Sequence, residues 1–223
     1  MNRHAPRRWV LAAALGVGLS LPERAHAQHI ELSAAAVLAL PRSSLLLAGE
    51  REIAAGTWFG GALAVKAGRL LLSGTGLRGT LTPRDNTRAL DRDGGEVAGL
   101  VRFEPRAWLG FETAFTVRAF TSVAGYQRWE IFGLGIRVSG ALGNSGLRAY
   151  ARGAYFPSVS VTGQPAPNLG VEAEAGVTAA FQRVPLVFKL SYRLERYDFP
   201  GDARLEQFDR LTVEAGVRIK KRR

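Results

Sequence analysis

The sequence predicts an all-β chain folded as a transmembrane, up-and-down antiparallel β-barrel of about ten strands, with eight as the lower count. Three observations predict it: apolar residues recur at every second position, the alternating segments are long enough to cross a bilayer at a tilt, and the links between them alternate in length. A length of 223 residues suits one large all-β domain. With 47% hydrophobic and 22% charged residues, the chain is too apolar for disorder and too polar for a bundle of membrane helices. It contains no Cys, which excludes disulfides, thiol nucleophiles and Cys-ligated zinc.

Residues 1–27 read as a secretory signal peptide and 28–223 as a single barrel domain. Arg3, Arg7 and Arg8 form a basic start, Trp9 to Leu21 an apolar run, and Ala25, His26 and Ala27 a small-residue cleavage site, with cleavage expected after Ala27. The apolar run is shorter than the roughly 20 residues of a bilayer-spanning helix. Export would keep this basic chain, of formal charge +11, away from nucleic acid, which is therefore not an expected partner.

Strands are expected at 31–40, 56–66, 69–82, 95–104, 107–120, 127–140, 147–156, 168–181, 185–197 and 206–219. The first is almost wholly apolar from Ala34 to Ala39 and is expected to stop at Pro41, because proline cannot donate to a ladder. The last three are the clearest. Leu169, Val171, Ala173, Ala175 and Val177 alternate with Gly, Glu and Thr; Leu186, Phe188, Leu190, Tyr192 and Leu194 alternate with Val187 and then polar residues; and Leu211, Val213, Ala215, Val217 and Ile219 alternate with polar or small ones. Tight turns are expected at 66–69, 104–107, 141–146 and 182–185, and longer links at 83–94, 157–167 and 199–205, with a shorter one near 122–125. In a closed meander these two sets lie at opposite ends, with both termini at the short-turn end.

Alternation also fits a soluble β-sandwich, which would hide its greasy face between two layers. Strand length favours the barrel, since sandwich strands average about five or six residues and tilted membrane strands about 9 to 11. Trp58, Phe59, Phe103, Trp108, Tyr126, Trp129, Tyr155, Tyr197 and Phe199 fall near expected strand ends, where aromatic rings favour the water–lipid boundary. With its leader, long alternating strands and a closing strand bearing Glu214, Gly216 and Ile219, the chain resembles bacterial outer-membrane β-barrel proteins. It departs from their usual aromatic terminus by ending in Lys220, Lys221, Arg222 and Arg223. The resemblance implies residence in the outer membrane with membrane lipid as a partner. Lipopolysaccharide, where the organism makes it, is a further expected contact for a basic surface.

A barrel must turn its charges inward, because Arg or Lys facing lipid at the midplane costs about 2 to 4 kcal/mol. The phase of each strand sends Arg102, Glu112, Arg118, Arg137, Arg148, Arg152, Glu172, Glu174, Lys189, Arg193, Glu214 and Arg218 into the lumen, as a charge network or a pore lining. Glu130 alone is expected to point outward, in phase with Phe132, Leu134, Ile136 and Val138. Folding the last turns symmetrically sets Glu174 beside Arg193 and Lys189 beside Glu214. These charges stand open to two readings, a plugged lumen and a narrow path preferring anions.

Known barrel lipases, acyltransferases and proteases generally use a histidine to activate a nucleophile or water, and after the leader only His29 remains. The expectation is therefore a non-enzymatic barrel with a structural, surface-contact or minor porin-like permeation role. A secreted periplasmic β-sandwich binding protein and a lipid-modifying barrel enzyme are the alternatives. No cofactor is expected. Gly74, Gly76 and Gly79 match G-x-G-x-x-G, but inside a strand pattern with no helix to receive a pyrophosphate. Asp85, Asp91, Asp93 and Glu96 cluster in an expected outer link without the spacing of a calcium loop, so no metal is expected there.

Overall fold

The computed structural model describes residues 30–47, 49–84, 90–123, 125–143, 146–181, 184–201 and 204–221. The leader and its cleavage site, His29 and Asp85 lie outside the described residues. Ten strands are formed: β1 (Ile30–Leu47), β2 (Glu50–Ala67), β3 (Leu70–Arg84), β4 (Arg92–Arg106), β5 (Leu109–Ser122), β6 (Gly125–Leu142), β7 (Leu147–Val161), β8 (Leu169–Ala180), β9 (Leu186–Asp198) and β10 (Arg204–Lys221). Each pairs antiparallel with its sequence neighbours, and β1 also pairs with β10, so a single sheet closes on itself. Closure leaves no second layer, and the sandwich alternative is ruled out.

Links after β2, β4, β6 and β8 lie at the end where the strands begin and finish, called here the terminal end; those after β1, β3, β5, β7 and β9 lie at the loop end. The turns of the terminal end are short, as expected. Gly68 and Gly146 reverse the chain there at positive φ, a conformation that glycine adopts without a steric penalty.

Two strand boundaries differ from expectation for one reason, the presence of a proline. Pro41 does not end β1. It faces inward, fully buried, in register with Arg210 of β10, while pairing to β2 skips Leu40 and Pro41 and resumes at Arg42 with register kept. Consequently β1 extends past its expected end at 40 to Leu47, and β2 starts at Glu50, ahead of the expected 56. Pro157 likewise marks a bulge, where β7 slips by one residue against β6 between Phe132 and Leu134. Below the slip Tyr150, Arg152 and Phe156 face inward; above it Val159 and Val161 do. That change of parity hides the continuation of the strand from a two-residue pattern.

The outer face of the barrel is apolar. β1 presents Leu32, Ala34, Ala36, Leu38 and Leu40 outward, β9 presents Leu186, Phe188, Leu190, Tyr192 and Leu194, and β10 presents Leu211, Val213, Ala215, Val217 and Ile219. Leu63, Val97 and Ile219 are each more than 60% exposed. Going toward the loop end, the first outward charges are Arg42 on β1, Arg78 on β3, Asp93 on β4, Glu130 on β6, Arg196 on β9 and Asp209 on β10. The uncharged band is about nine residues tall on β1, β9 and β10, the length a tilted strand needs to cross hydrocarbon. A continuous greasy belt of this extent is unstable in water and stable in lipid.

Glu130 faces outward as its phase requires and pairs with Arg128 at 2.8 Å, both about half exposed just beyond the band. Asp209 also points outward, opposite Arg42, and accepts a hydrogen bond from the Tyr192 hydroxyl at 3.1 Å. Both acids therefore have a polar partner where the apolar belt ends.

Candidate functional site

The lumen has two parts. Toward the loop end it is filled by Trp58, Phe120, Phe208, Trp129, Tyr197 and Phe199, with Leu77, Leu81, Val159 and Val161 beside them. Trp58 is fully buried, 6.2 Å from the Phe120 ring and 5.8 Å from Phe208. The reason it fits is local. Trp58 pairs with Gly79, Gly79 with Gly94, and Gly94 with Phe120, so the indole lies across two strands that have no side chain in the way. A Cβ on either glycine would come within 2.5 Å of the ring. This explains Gly79 of the glycine motif as room for an aromatic, not a phosphate cradle. Phe156 rests in the same manner against Gly133 and Gly170 and stacks on Tyr197.

Trp58, Trp129, Tyr197 and Phe199 are therefore lumen contents and not parts of a lipid-boundary girdle. Their proximity to strand ends suggested the girdle, but parity within each strand turns them inward. Phe59, Phe103, Trp108, Tyr126 and Tyr155 are outward or exposed.

Immediately below the aromatic cap lies a layer of buried charge. Arg118 on β5 is bracketed by Glu96 at 2.7 Å and Glu195 at 2.8 Å, and Arg210 reaches Glu96 at 2.7 Å from across the barrel. The Tyr197 hydroxyl donates to Glu195 at 2.8 Å, and the Arg118 guanidinium sits 3.9 Å from the Phe208 ring centroid. All four charged side chains are 6% exposed or less. Strand pairing sets Arg118 opposite Glu96, but the contacts of Arg118 with Glu195 and of Arg210 with Glu96 span the lumen. Glu96 is thus not part of an acidic link with Asp91 and Asp93: it is the inward residue of β4 that joins two arginines.

A second layer follows. Glu174 is directly opposite Arg193, at 2.8 Å, and Lys189 opposite Glu214, at 2.7 Å, in the registers expected from the symmetric turns. Arg152 joins Glu112 and Glu172, Arg102 bonds Glu112 at 2.5 Å, and the Tyr150 hydroxyl donates to Glu174 at 2.5 Å. At the terminal mouth Lys66 pairs with Glu104, and Arg218 lies 3.4 Å from Glu31. Arg148 donates to the Ala107 carbonyl at 3.0 Å and the Ser139 hydroxyl at 3.3 Å. Among the described residues Arg137 has neither kind of partner: its guanidinium is 3.6 Å from the Tyr150 ring centroid.

All twelve residues expected in the lumen face inward. Arg102, Glu112, Arg152, Glu172, Glu174, Lys189, Arg193 and Glu214 come together in one network, Arg118 belongs to the layer above, and Arg148, Arg218 and Arg137 stand apart from it as described. Glu96, Glu195 and Arg210 were not among the twelve. Parity was the available signal, since Glu195 follows Arg193 and Arg210 precedes Thr212 on the inward faces of β9 and β10.

Side chains of the upper layer are 2–6% exposed, and Arg152, Glu112, Glu172 and Glu174 of the second layer are 5% or less. Arg193, Lys189 and Glu214 are 22–26% exposed and Lys66 is 37%, so the terminal mouth is the more open end of the lumen. A cavity of about 130 Å³ remains inside, bordered by Thr75, Thr116, Arg137, Phe156, Lys189 and Arg193 among others.

No protein-family model and no curated sequence matches the chain. Among solved structures it is similar to the outer membrane protease OmpT from Escherichia coli, at 10% identity over 88% of this chain and 97% of that chain, with a TM-score of 0.49. It is similar also to the translocator domain of autotransporter NalP from Neisseria meningitidis, at 11% identity over 83% of this chain and 88% of that one, TM-score 0.44. The β domain of the Bordetella autotransporter BrkA gives 12% identity, 81% and 98% coverage, and a TM-score of 0.44. The chain's own strand closure and greasy outer belt, not the scores, make it a membrane barrel.

Proposed function

We propose that the protein is a non-enzymatic outer-membrane barrel whose lumen is closed by its own side chains, with a structural or surface-contact role. One observation carries this reading: the aromatic cap of Trp58, Phe120, Phe208, Trp129, Tyr197 and Phe199 sits on the Arg118, Glu96, Glu195 and Arg210 layer across the loop-end half of the lumen. A solute path would have to break these ion pairs and displace packed rings together. The lumen carboxylates Glu96, Glu112, Glu172, Glu174, Glu195 and Glu214 are each engaged by Arg or Lys, and no histidine occurs on the ten strands, which supports a role without catalysis.

Short turns together with the start of β1 and the finish of β10 at one end support a periplasmic terminal end and an outward loop end. Export by the N-terminal leader, with cleavage after Ala27, belongs to the same reading. The outward arginines Arg42, Arg78, Arg128 and Arg196, just past the apolar band, favour contact with phosphate-bearing lipid headgroups such as those of lipopolysaccharide. The test is conductance of the refolded protein in a planar lipid bilayer. No unitary current above baseline is expected; reproducible current steps would overturn closure.

A further inference from the structure

We propose that the terminal-end vestibule is a binding site for a small oxyanion, with Arg137 as its free cation. The cavity of about 130 Å³ has room for an anion of phosphate size and too little for a lipid or a peptide. Its cationic wall is Arg102, Arg137, Arg152, Lys189 and Arg193. Three carboxylates, Glu172, Glu174 and Glu195, also line it. Each of these is already occupied: Glu172 by Arg152, Glu174 by Arg193 at 2.8 Å, and Glu195 by Arg118 at 2.8 Å. Arg102 and Arg152 in turn share Glu112, and Lys189 holds Glu214 at 2.7 Å.

Arg137 is left over. It stands on β6 directly opposite Arg152 on β7, so its nearest cross-strand neighbour is a like charge. Its guanidinium stacks on Tyr150, whose hydroxyl is committed to Glu174 at 2.5 Å. Among the described residues no carboxylate or carbonyl accepts from it, although a guanidinium carries five N–H donors in a fork suited to an oxyanion. A part-buried cation beside another cation is unfavourable without an anion. The aromatic cap blocks the loop end, so a ligand enters from the terminal mouth past Lys66 and Arg218, both partly exposed and basic. This site does not depend on the closed-lumen reading: a barrel that conducts current yet binds anion at Arg137 would overturn closure alone.

The experiment is calorimetric titration of inorganic phosphate into the full-length barrel, refolded in phosphatidylcholine nanodiscs at low salt. Heat-modifiable gel mobility confirms folding of every variant. Phosphate binding is expected in the parent, weakened about tenfold or more in Arg137→Gln, and held within about threefold in Arg137→Lys, which keeps the charge. Arg84→Gln, at the loop end of β3 and away from the cavity lining, should bind like the parent. Acetate as a second probe separates phosphate from carboxylate preference. Absence of binding by the folded parent to either anion overturns the proposal, as does equal affinity in Arg137→Gln or an equal loss in Arg84→Gln.

Discussion

The two halves of the lumen solve the same problem, an interior wider than one side chain can fill, by different means. The loop-end half uses rings laid over glycine and charges with almost no water around them. The terminal-end half uses a wider net of ion pairs, with Arg193, Lys189 and Glu214 a fifth or more exposed, around an unfilled cavity. Placement of charge alone therefore does not decide whether it holds the barrel together. Loss of water does: an ion pair sealed under aromatic rings is costly to break from one side, and the same pair at an open mouth is screened.

Glu96→Gln should be the most damaging change in either half, because it leaves buried Arg210 without its acid and takes from Arg118 one of its two. A loss of roughly 3 to 5 kcal/mol in unfolding free energy is expected from urea titration of the barrel folded into lipid vesicles. Trp58→Ala should cost about 3 to 5 kcal/mol by leaving a hole between Phe120 and Phe208. If the cap is the barrier, that variant should also show bilayer currents absent from the parent. Continued silence would mean that the ion-pair layer below closes the lumen unaided.

Gly94→Ala is a finer probe, since its methyl would press on the Trp58 ring. A cost of about 1 to 3 kcal/mol is expected, and it should fall to near zero in a Trp58→Ala background. A cost that persists there would place the strain in the backbone of β4 instead. The smallest effect belongs to the open mouth. Glu104→Gln, which removes the partner of Lys66, should change stability by less than about 1 kcal/mol. A loss as large as that of Glu96→Gln would erase the contrast between the halves.

Much of this was readable in advance, and the exceptions share a cause. Strand parity identifies inward charge on β8, β9 and β10 because no proline or bulge disturbs them, and there the pairs Glu174 with Arg193 and Lys189 with Glu214 follow from turn symmetry. Parity misleads where a proline stands. Pro41 conceals eighteen-residue β1, and the slip at Pro157 conceals Val159 and Val161. Glu96 reads as a loop residue because Asp91 and Asp93 precede it and Gly94 and Gly95 lie between, whereas those glycines are flat wall beneath Trp58 or beside Arg78.

By itself, the order of residues determined the strand number, the meander, the end that carries the termini and the greasy outer belt. All of these follow from a local rule, side chains alternating across a strand with neighbours joined by turns. Only the closed barrel decided which charges meet. Arg118 with Glu195 and Arg210 with Glu96 lie 77 and 114 residues apart, on strands that never pair, and they touch because the sheet curves until its far walls come within the reach of an arginine. Curvature is also what leaves Arg137 facing the cavity with a like charge opposite and, among the described residues, no ion pair of its own.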